Sequence, residues 1–462
     1  MGWAPRRRLV DDRQPSVGQG HRSRGPRPGA VGPPGGEGTG HPHHRLGVGR
    51  GAVGAQLAYD PAHVERSSGA TGLRSGAGVK IPRILPGPAQ PAEGDSVRLT
   101  LGAEEEFLLV DESSGALAPR SAEVLGAGAD LLGDAATSEL NLCQVETESG
   151  VCSTLEGLRT ELGDLRRNLA TAARRQGLAP LASGSHPFSS WRQGGVDRSV
   201  ERYAGMEERF QLVAREQVIC GCHVHVGVPD PDLAVAAMTR ARPWLPVLLA
   251  LSANSPFWEG VDSGYASFRT LVWQRWPTAR MPPALANRAE HDATVECLVE
   301  AGAIPDGTYL YWYIRPSVRF PTLEFRVTDV CLDVDDTVAV AGLARALVWV
   351  AARDALGDGS DGLASGEVLR SAVWRAARYG LGGELLHPEW GRPAPADEVV
   401  ARLLEHVGPG LDAHGDGAAV RHQVARILER GNGATWQRRA AAEMDGPALV
   451  ARMRGLAPGE LR

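Results

Sequence analysis

Four stretches of this chain carry groups that could hold a cation and an anion side by side. In Leu101-Gly102-Ala103-Glu104-Glu105-Glu106-Phe107-Leu108-Leu109-Val110, the apolar flanks and the Phe and Val content indicate a strand, closed by turn residues from Asp111 to Gly115. Strand side chains alternate between faces, so Glu104 and Glu106 share one face and Glu105, Phe107 and Leu109 the other. Adjacent carboxylates repel unless a cation or a proton lies between them. In Cys220-Gly221-Cys222-His223-Val224-His225-Val226-Gly227, the same parity puts His223 and His225 on one face with Gly221. Two imidazoles beside a residue with no side chain suit a ligand that approaches closely. From Thr322 to Asp329, Thr322, Glu324, Arg326 and Thr328 alternate with Leu323, Phe325 and Val327. An acid and an arginine two apart can hold a metal and an anion together, or can be a rung of a cross-strand ion-pair ladder. The fourth stretch, Ser138 to Glu148, carries Glu139 and Glu146. Their odd separation places them on opposite faces of an unbroken strand, so both reach one site only across a bulge or a turn.

Parity also sends Cys220 and Cys222 to the face away from the imidazoles. Zinc ligands must converge, so a Cys-x-Cys zinc site is rejected and both cysteines are expected to pack.

The elements that must position these groups can be read from periodicity. Thr154 to Gln176 is expected to be helical, with Leu155, Leu158, Leu162, Leu165 and Leu169 on one face and no full capping box. Helices are also expected over 203–216, 231–253 (bent or restarted at Pro243 and Pro246), 287–302, 335–355, 367–379, 397–407, 418–430 and 436–453. A short strand over 178–184 leads into a loop in which His186 is expected to be exposed. The loop from Asn254 to Arg275 is rich in Trp, Tyr and Arg and reads as a binding surface. Arg430 to Thr435 is Gly-rich but lacks the Lys-Ser/Thr of a phosphate loop. Every polar strand face has an apolar back. The expected fold is therefore α+β: an antiparallel sheet whose front is a polar trough, backed by helices, with a helical C-terminal part.

Composition bounds the rest. Residues 1–96 hold 20 Gly and 12 Pro, a third of that segment, which indicates a disordered, low-complexity extension. Its Arg6-Arg7-Arg8 is not followed by the apolar run of an export signal, and His41-Pro42-His43-His44 is too short a tract to argue for metal. The extension carries 13 Lys+Arg against 7 Asp+Glu; the whole chain is −6, which leaves residues 97–462 at −12. An acidic folded part argues against nucleic acid as a partner. No run is long and apolar enough for a membrane span. Six cysteines are too sparse for a disulfide scaffold, and the protein is expected in the cytoplasm.

Several carboxylates with little His favour Mg²⁺ or Mn²⁺ over zinc. Carboxylate-held Mg²⁺ commonly serves nucleotide phosphates, whose remaining charge Arg269, Arg315, Arg319 and Arg326 could neutralise. At this point the motifs converge. Gly-x-Glu-Glu-Glu-Phe, Val145-Glu146-Thr147, Cys-Gly-x-His-Val-His-Val-Gly, Ser255-Pro256-Phe257-Trp258 with Gly264 to Arg269, and Thr-Leu-Glu-Phe-Arg-Val-x-Asp resemble the type 2 glutamate–cysteine ligases. The resemblance runs in matching order over roughly 97 to 455, with Ser149 where Thr is expected, and the domain is placed at 97–462. It implies a glutamine-synthetase-like fold and an ATP-dependent ligase joining the γ-carboxylate of glutamate to the amine of cysteine or another amine. It implies Glu104, Glu106, Glu139, Glu146, His223 and Glu324 around the metal and nucleotide. Arg326 is implied against phosphate or substrate carboxylate, with Glu324 and Arg326 as catalytic residues and Arg269, Arg315, Arg326 and His225 as cofactor contacts. A homodimer is left open. Two other classes also stay open: a metal-dependent hydrolase using His223 and His225, and a non-catalytic nucleotide or amino-acid sensor.

A chain beginning at Val97 is expected to keep both its ATP turnover and its melting temperature. Loss of either in calorimetry or in a phosphate-release assay would make the first 96 residues structural.

Overall fold

The computed structural model describes residues 98–355, 365–456 and 461, so the expectations for residues 1–96 lie outside the described residues. In chain order the strands are β1 (Leu101–Asp111), β2 (Ala136–Ser138), β3 (Gln144–Glu148), β4 (Leu178–Leu181), β5 (Gly221–Gly227), β6 (Phe257–Trp258), β7 (Val261–Asp262), β8 (Ile314–Pro316), β9 (Thr322–Asp329), β10 (Glu384–Leu386) and β11 (Pro393–Pro395). Seven of them form one sheet in the order β2-β3-β1-β5-β9-β8, with β4 paired to the end of β1. All of its pairings are antiparallel.

The register decides what the trough contains. Glu104 lies opposite Glu148 on one side and His223 on the other, and Glu106 lies opposite Glu146. His225 lies opposite Glu324, which in turn faces Arg315. Directly opposed residues share a face, so one row of acid, imidazole and arginine crosses the sheet. Between β5 and β9 the register slips: Cys222 pairs with Thr328 but Val224 with Phe325, so β9 contributes one extra residue beside Arg326. Such bulges re-aim side chains locally.

The other face is packed. Leu101, Ala103, Cys222, Val224, Leu323, Phe325 and Val327 are buried in one cluster with residues of the helices Leu155–Arg174, Pro231–Ala241, Leu245–Ser252 and Val334–Ala355. Phe107, Leu109, Cys143, Val145 and Cys220 join a second cluster with Leu169 and Leu178. The first of these helices is capped by Thr154 alone, whose hydroxyl accepts from the Gly157 N–H at 3.1 Å. One charge breaks the apolar rule. Glu105 is fully buried on the packed face, where Arg166 grips both of its oxygens at 2.6 and 2.8 Å and the Thr337 hydroxyl donates at 2.8 Å. Arg166 also donates to the carbonyls of Cys331 and Leu332. This pair ties the central strand to two helices.

Several elements differ from the sequence expectation. The helix over 203–216 is two, Glu201–Phe210 and Leu212–Arg215, parted by Gln211 at φ 53°. A 3₁₀ turn at Arg242–Trp244 carries Pro243 where the restart was expected. The segment 254–275 is not one loop: it holds the β6–β7 hairpin and a helix at Phe268–Trp273 capped by Ser267. The helix over 436–453 is also two, Gly433–Ala441 and Gly446–Arg454, the second started by Asp445 as cap with Pro447 in its first turn. His186 is buried rather than exposed. Its Nε2 meets the Gly115 carbonyl at 2.9 Å and its Nδ1 accepts from the Ser189 N–H.

Cys220 and Cys222 are buried on the packed side, and burial pushes both thiols well above their ordinary range. Replacing both with Ala is expected to cost on the order of 1 kcal/mol each in a denaturant melt. Bound Mn²⁺ should stay unchanged. Mn²⁺ lost in step with thiol content would overturn the parity argument.

Candidate active site

The polar face of the sheet opens into a cleft of about 400 Å³. β1 supplies Glu104 and Glu106, β3 Glu146 and Glu148, β5 His223 and His225, and β9 Glu324 and Arg326. Glu139 lines the same cleft although it follows β2, because β2 and β3 are antiparallel neighbours and the chain reverses between them. The odd spacing of Glu139 and Glu146 is thus resolved by a turn.

Glu104 is the hub. One oxygen lies 2.8 Å from His223 Nδ1 and the other 3.1 Å from His225 Nε2. His225 Nδ1 meets the Thr322 hydroxyl at 2.8 Å. Glu106 accepts from the Gly221 N–H at 2.6 Å. A carboxylate can only accept, so His223 presents its Nδ1 as the N–H to Glu104. That leaves Nε2 as a lone pair, without a hydrogen-bond partner among the described residues, 3.6 Å from a Glu106 oxygen. A lone pair facing a carboxylate calls for a cation or a proton between them. Two groups of three side chains have ligand atoms within 4.8 Å of one another: Glu104, His225 and Glu324, and Glu104, Glu146 and His223. This donor set, mostly carboxylate oxygen with imidazole, fits Mg²⁺ or Mn²⁺.

The carboxylates divide electrostatically. On the β2–β3 side, burial raises Glu139 to about 7, with Glu106 adding to the rise. Burial also raises Glu146 well above the usual carboxylate range, helped by Glu104 and Glu139, and raises Glu148 with help from Glu104. On the β9 side, burial works against ionisation of Glu324, but Arg326, Arg315 and His225 outweigh it and hold the group well below that range. Glu104 is likewise held low by His223 and His225 against its own burial. One wall therefore retains protons that a cation could displace, and the other is already neutralised by arginine.

The arginines occupy different depths. Arg326 pairs with Glu324 and lies over the Trp273 ring, 5.4 Å from its centroid. Arg315 reaches Glu324 at 2.8 Å and the Leu310 carbonyl at 2.7 Å. Arg319 is exposed on the β8–β9 connection. Arg269 corrects the expectation for Gly221. The space beside that glycine is not left for a ligand: a Cβ there would stand 2.1 Å from Arg269 Nη2, so the guanidinium itself takes the close approach.

Sequence reasoning missed part of the lining: Glu148, Gln144, Gln217, Arg202, Tyr203 and Tyr311. Gln144 and Glu148 were within reach, each two residues from Glu146 on one strand. The others come from helices and connections, where no parity rule applies. Trp273, which could equally have been core, lines the cleft.

The sequence model of glutamate–cysteine ligase family 2 matches residues 100–453. A protein of Frankia alni, provisionally named glutamate–cysteine ligase 2-2, is 46% identical over 357 residues, which cover 74% of this chain and 92% of that protein. A Frankia casuarinae protein with the same provisional name is 45% identical over 348 residues; these are 75% of this chain, and the chain spans only 40% of that relative. The crystal structure of the glutamate–cysteine ligase of Francisella tularensis, in complex with AMP, matches with a TM-score of 0.58 at 12% identity, over 78% of this chain and 88% of that one. At that identity the likeness is one of fold: an α+β antiparallel sheet with helices behind it.

Because Glu104 belongs to both candidate cation groups, Glu104→Gln is expected to weaken Mn²⁺ binding by about tenfold or more, as counted by electron paramagnetic resonance. In the parent protein, Mn²⁺ affinity should rise with pH between about 6 and 8, because protons on Glu139 and Glu146 must leave as the cation enters. A flat profile, or parent-like binding by the variant, would remove these residues from the cation site.

Proposed function

The chain belongs to glutamate–cysteine ligase family 2, and from that premise we propose that it is an ATP-dependent carboxylate–amine ligase. In this reading the γ-carboxylate of glutamate is joined to the amine of cysteine, or of another small amine, through an acyl phosphate. The observation that carries the proposal is that clustered carboxylates and arginines share one cleft, with Glu324 held between Arg315 and Arg326. The AMP on the Francisella tularensis ligase supports a nucleotide as one occupant.

Amide formation from a free carboxylate is uphill in water, so the carboxylate must first be activated. A γ-carboxylate oxygen of glutamate bonds to the γ-phosphorus of ATP as the bond to ADP breaks. The amine nitrogen then bonds to the acyl carbon, and phosphate leaves carrying an oxygen that began on glutamate. Phosphoryl transfer of this kind depends on positioning and charge stabilisation more than on covalent chemistry by the protein. Glu104, Glu106, Glu139, Glu146, His223 and Glu324 would hold Mg²⁺ or Mn²⁺, which neutralises phosphate charge. Arg326 offers a planar fork to the phosphoryl oxygens beside that group, and Arg315 keeps Glu324 ionised and aimed. Arg269 sits deeper, 3.4 Å from the Arg326 carbonyl, and supports the strand that carries Arg326.

A hydrolase would need further imidazoles or a bridging lysine. The chain's only lysine is Lys80, and the later strand offers Glu324 and Arg326 instead. Among the described residues no helix is long and apolar enough to cross a membrane.

Incubating the protein with Mg-ATP, an amine and glutamate labelled with ¹⁸O in the γ-carboxylate is expected to transfer label to released phosphate. Unlabelled phosphate beside an amide product would rule out the acyl phosphate. Phosphate release without ATP would indicate a hydrolase, and binding of ATP and glutamate with no turnover over a panel of amines would indicate a sensor. Arg326→Lys keeps the charge but loses the fork, so it should lower turnover by about tenfold or more while leaving Mn²⁺ binding intact.

A further inference from the structure

One corner of the cleft holds polar groups that neither the cation site nor the arginines use. Gln144 begins β3 and Gln217 lies just before β5; both line the cleft. Their residues are 1% and 4% exposed. Each amide is fixed in one orientation. Gln144 Nε2 donates to the Ile219 carbonyl at 2.7 Å, and Gln217 Nε2 donates to the Val272 carbonyl at 3.0 Å. A backbone carbonyl can only accept, so neither amide can be flipped without placing oxygen against oxygen. The amide oxygens are thereby committed, and neither Gln144 Oε1 nor Gln217 Oε1 has a hydrogen-bond partner among the described residues. The two side chains are anchored on one short segment, since Gln144 is tied to Ile219, two residues beyond Gln217. A buried acceptor left unpaired is costly, and two of them on residues that line one cleft call for a donor supplied from outside.

We infer that Gln144 and Gln217 form a subsite for a primary ammonium or amine group on an amino-acid substrate. The inference rests on the ligase reading for the identity of that substrate. The surroundings select among N–H donors. Glu106 and Glu146 lie on the same trough face as Gln144 along β1 and β3, and Glu139 lines the same cleft. An ammonium group can donate to the amide oxygens and gains from the Glu106 carboxylate, whereas the neutral amino group of an adenine ring gains little and an anion is repelled. Neutral amide oxygens beside carboxylates also bind an amine without forcing a full buried ion pair, which suits a nitrogen that must later lose a proton to react. The occupant is either the α-ammonium of the glutamate donor or the nitrogen of the acceptor; the chemistry recognised is the same.

The test uses pairs of ligands that differ only in that nitrogen: glutamate against glutarate for the donor, and cysteine against 3-mercaptopropionate for the acceptor. Binding is measured by calorimetry on the full chain with Mg²⁺ and a non-hydrolysable ATP analogue, so a protein with no turnover would sink the ligase reading and leave this test standing. The parent is expected to prefer the nitrogen-bearing member of at least one pair. In Gln217→Met, in Gln144→Met and in the double variant, that preference should fall by about tenfold, the scale of losing a charge-assisted hydrogen bond. The arm that responds names the occupant. Should a variant fail to fold, the parent alone remains decisive: equal affinity within both pairs overturns the subsite. In folded variants an equal loss for both members of a pair would mean a merely structural role, and a loss confined to the ATP analogue would assign the oxygens to adenine; either overturns the inference.

Discussion

Like charge at close range is the constraint on which this structure depends. Glu104, Glu106, Glu139, Glu146, Glu148 and Glu324 crowd one cleft in a low-dielectric setting. Carboxylates so placed cannot all ionise without compensation. The fold compensates in two ways. Toward β9, arginine and imidazole neutralise Glu324 and Glu104 directly. Toward β2 and β3, Glu139, Glu146 and Glu148 are left with raised proton affinity by burial and by the charge of neighbouring carboxylates. The same asymmetry gives the cleft a wall suited to a metal and a wall suited to an anion.

A trough of this kind pulls its own strands apart unless something behind the sheet holds them. The back is apolar and closely packed, but its fixed points are polar. Glu105 anchors β1 through Arg166 and Thr337, and removing Arg166 would leave a buried carboxylate without its counter-charge, at a cost of about 3–5 kcal/mol. Asp329, at the end of β9, accepts from Asn254 N–H, the Ser255 hydroxyl and the Ser267 hydroxyl. Those contacts hold the helix Phe268–Trp273, which carries Arg269 under Gly221 and Trp273 against Arg326. The segment 254–275 thus helps to set the arginines, and its Arg269 and Trp273 line the cleft.

The cleft therefore has separate ends. Gln144, Gln217 and Glu139 lie toward the start of β3 and the segment before β5, while Glu148 and Arg319 lie toward the far end of β3 and the β8–β9 connection. The reaction proposed above would use such separation, because nucleotide, acid and amine must meet at one atom while being recognised by different groups.

Backbone alternation is a local property of an extended chain, and so the choice of face was legible in the sequence alone. Parity placed Glu104 with Glu106, His223 with His225, and Glu324 with Arg326, and it sent Cys220 and Cys222 to the packed side, all as the structure has them. Most helix positions followed from periodicity for the same reason, except where a single residue such as Gln211 or a new cap such as Asp445 broke a run, or where a short helix such as Phe268–Trp273 lay in an expected loop. Which strands lie side by side, and in what register, was not legible. That depends on contacts between residues distant in the sequence, so the opposition of Glu104 to His223 and of His225 to Glu324 could only come from the assembled sheet. Gly221 shows the limit most clearly. Its lack of a side chain announced a close approach, but nothing local could say that the approaching group was Arg269, because its partner is chosen by how a distant helix packs.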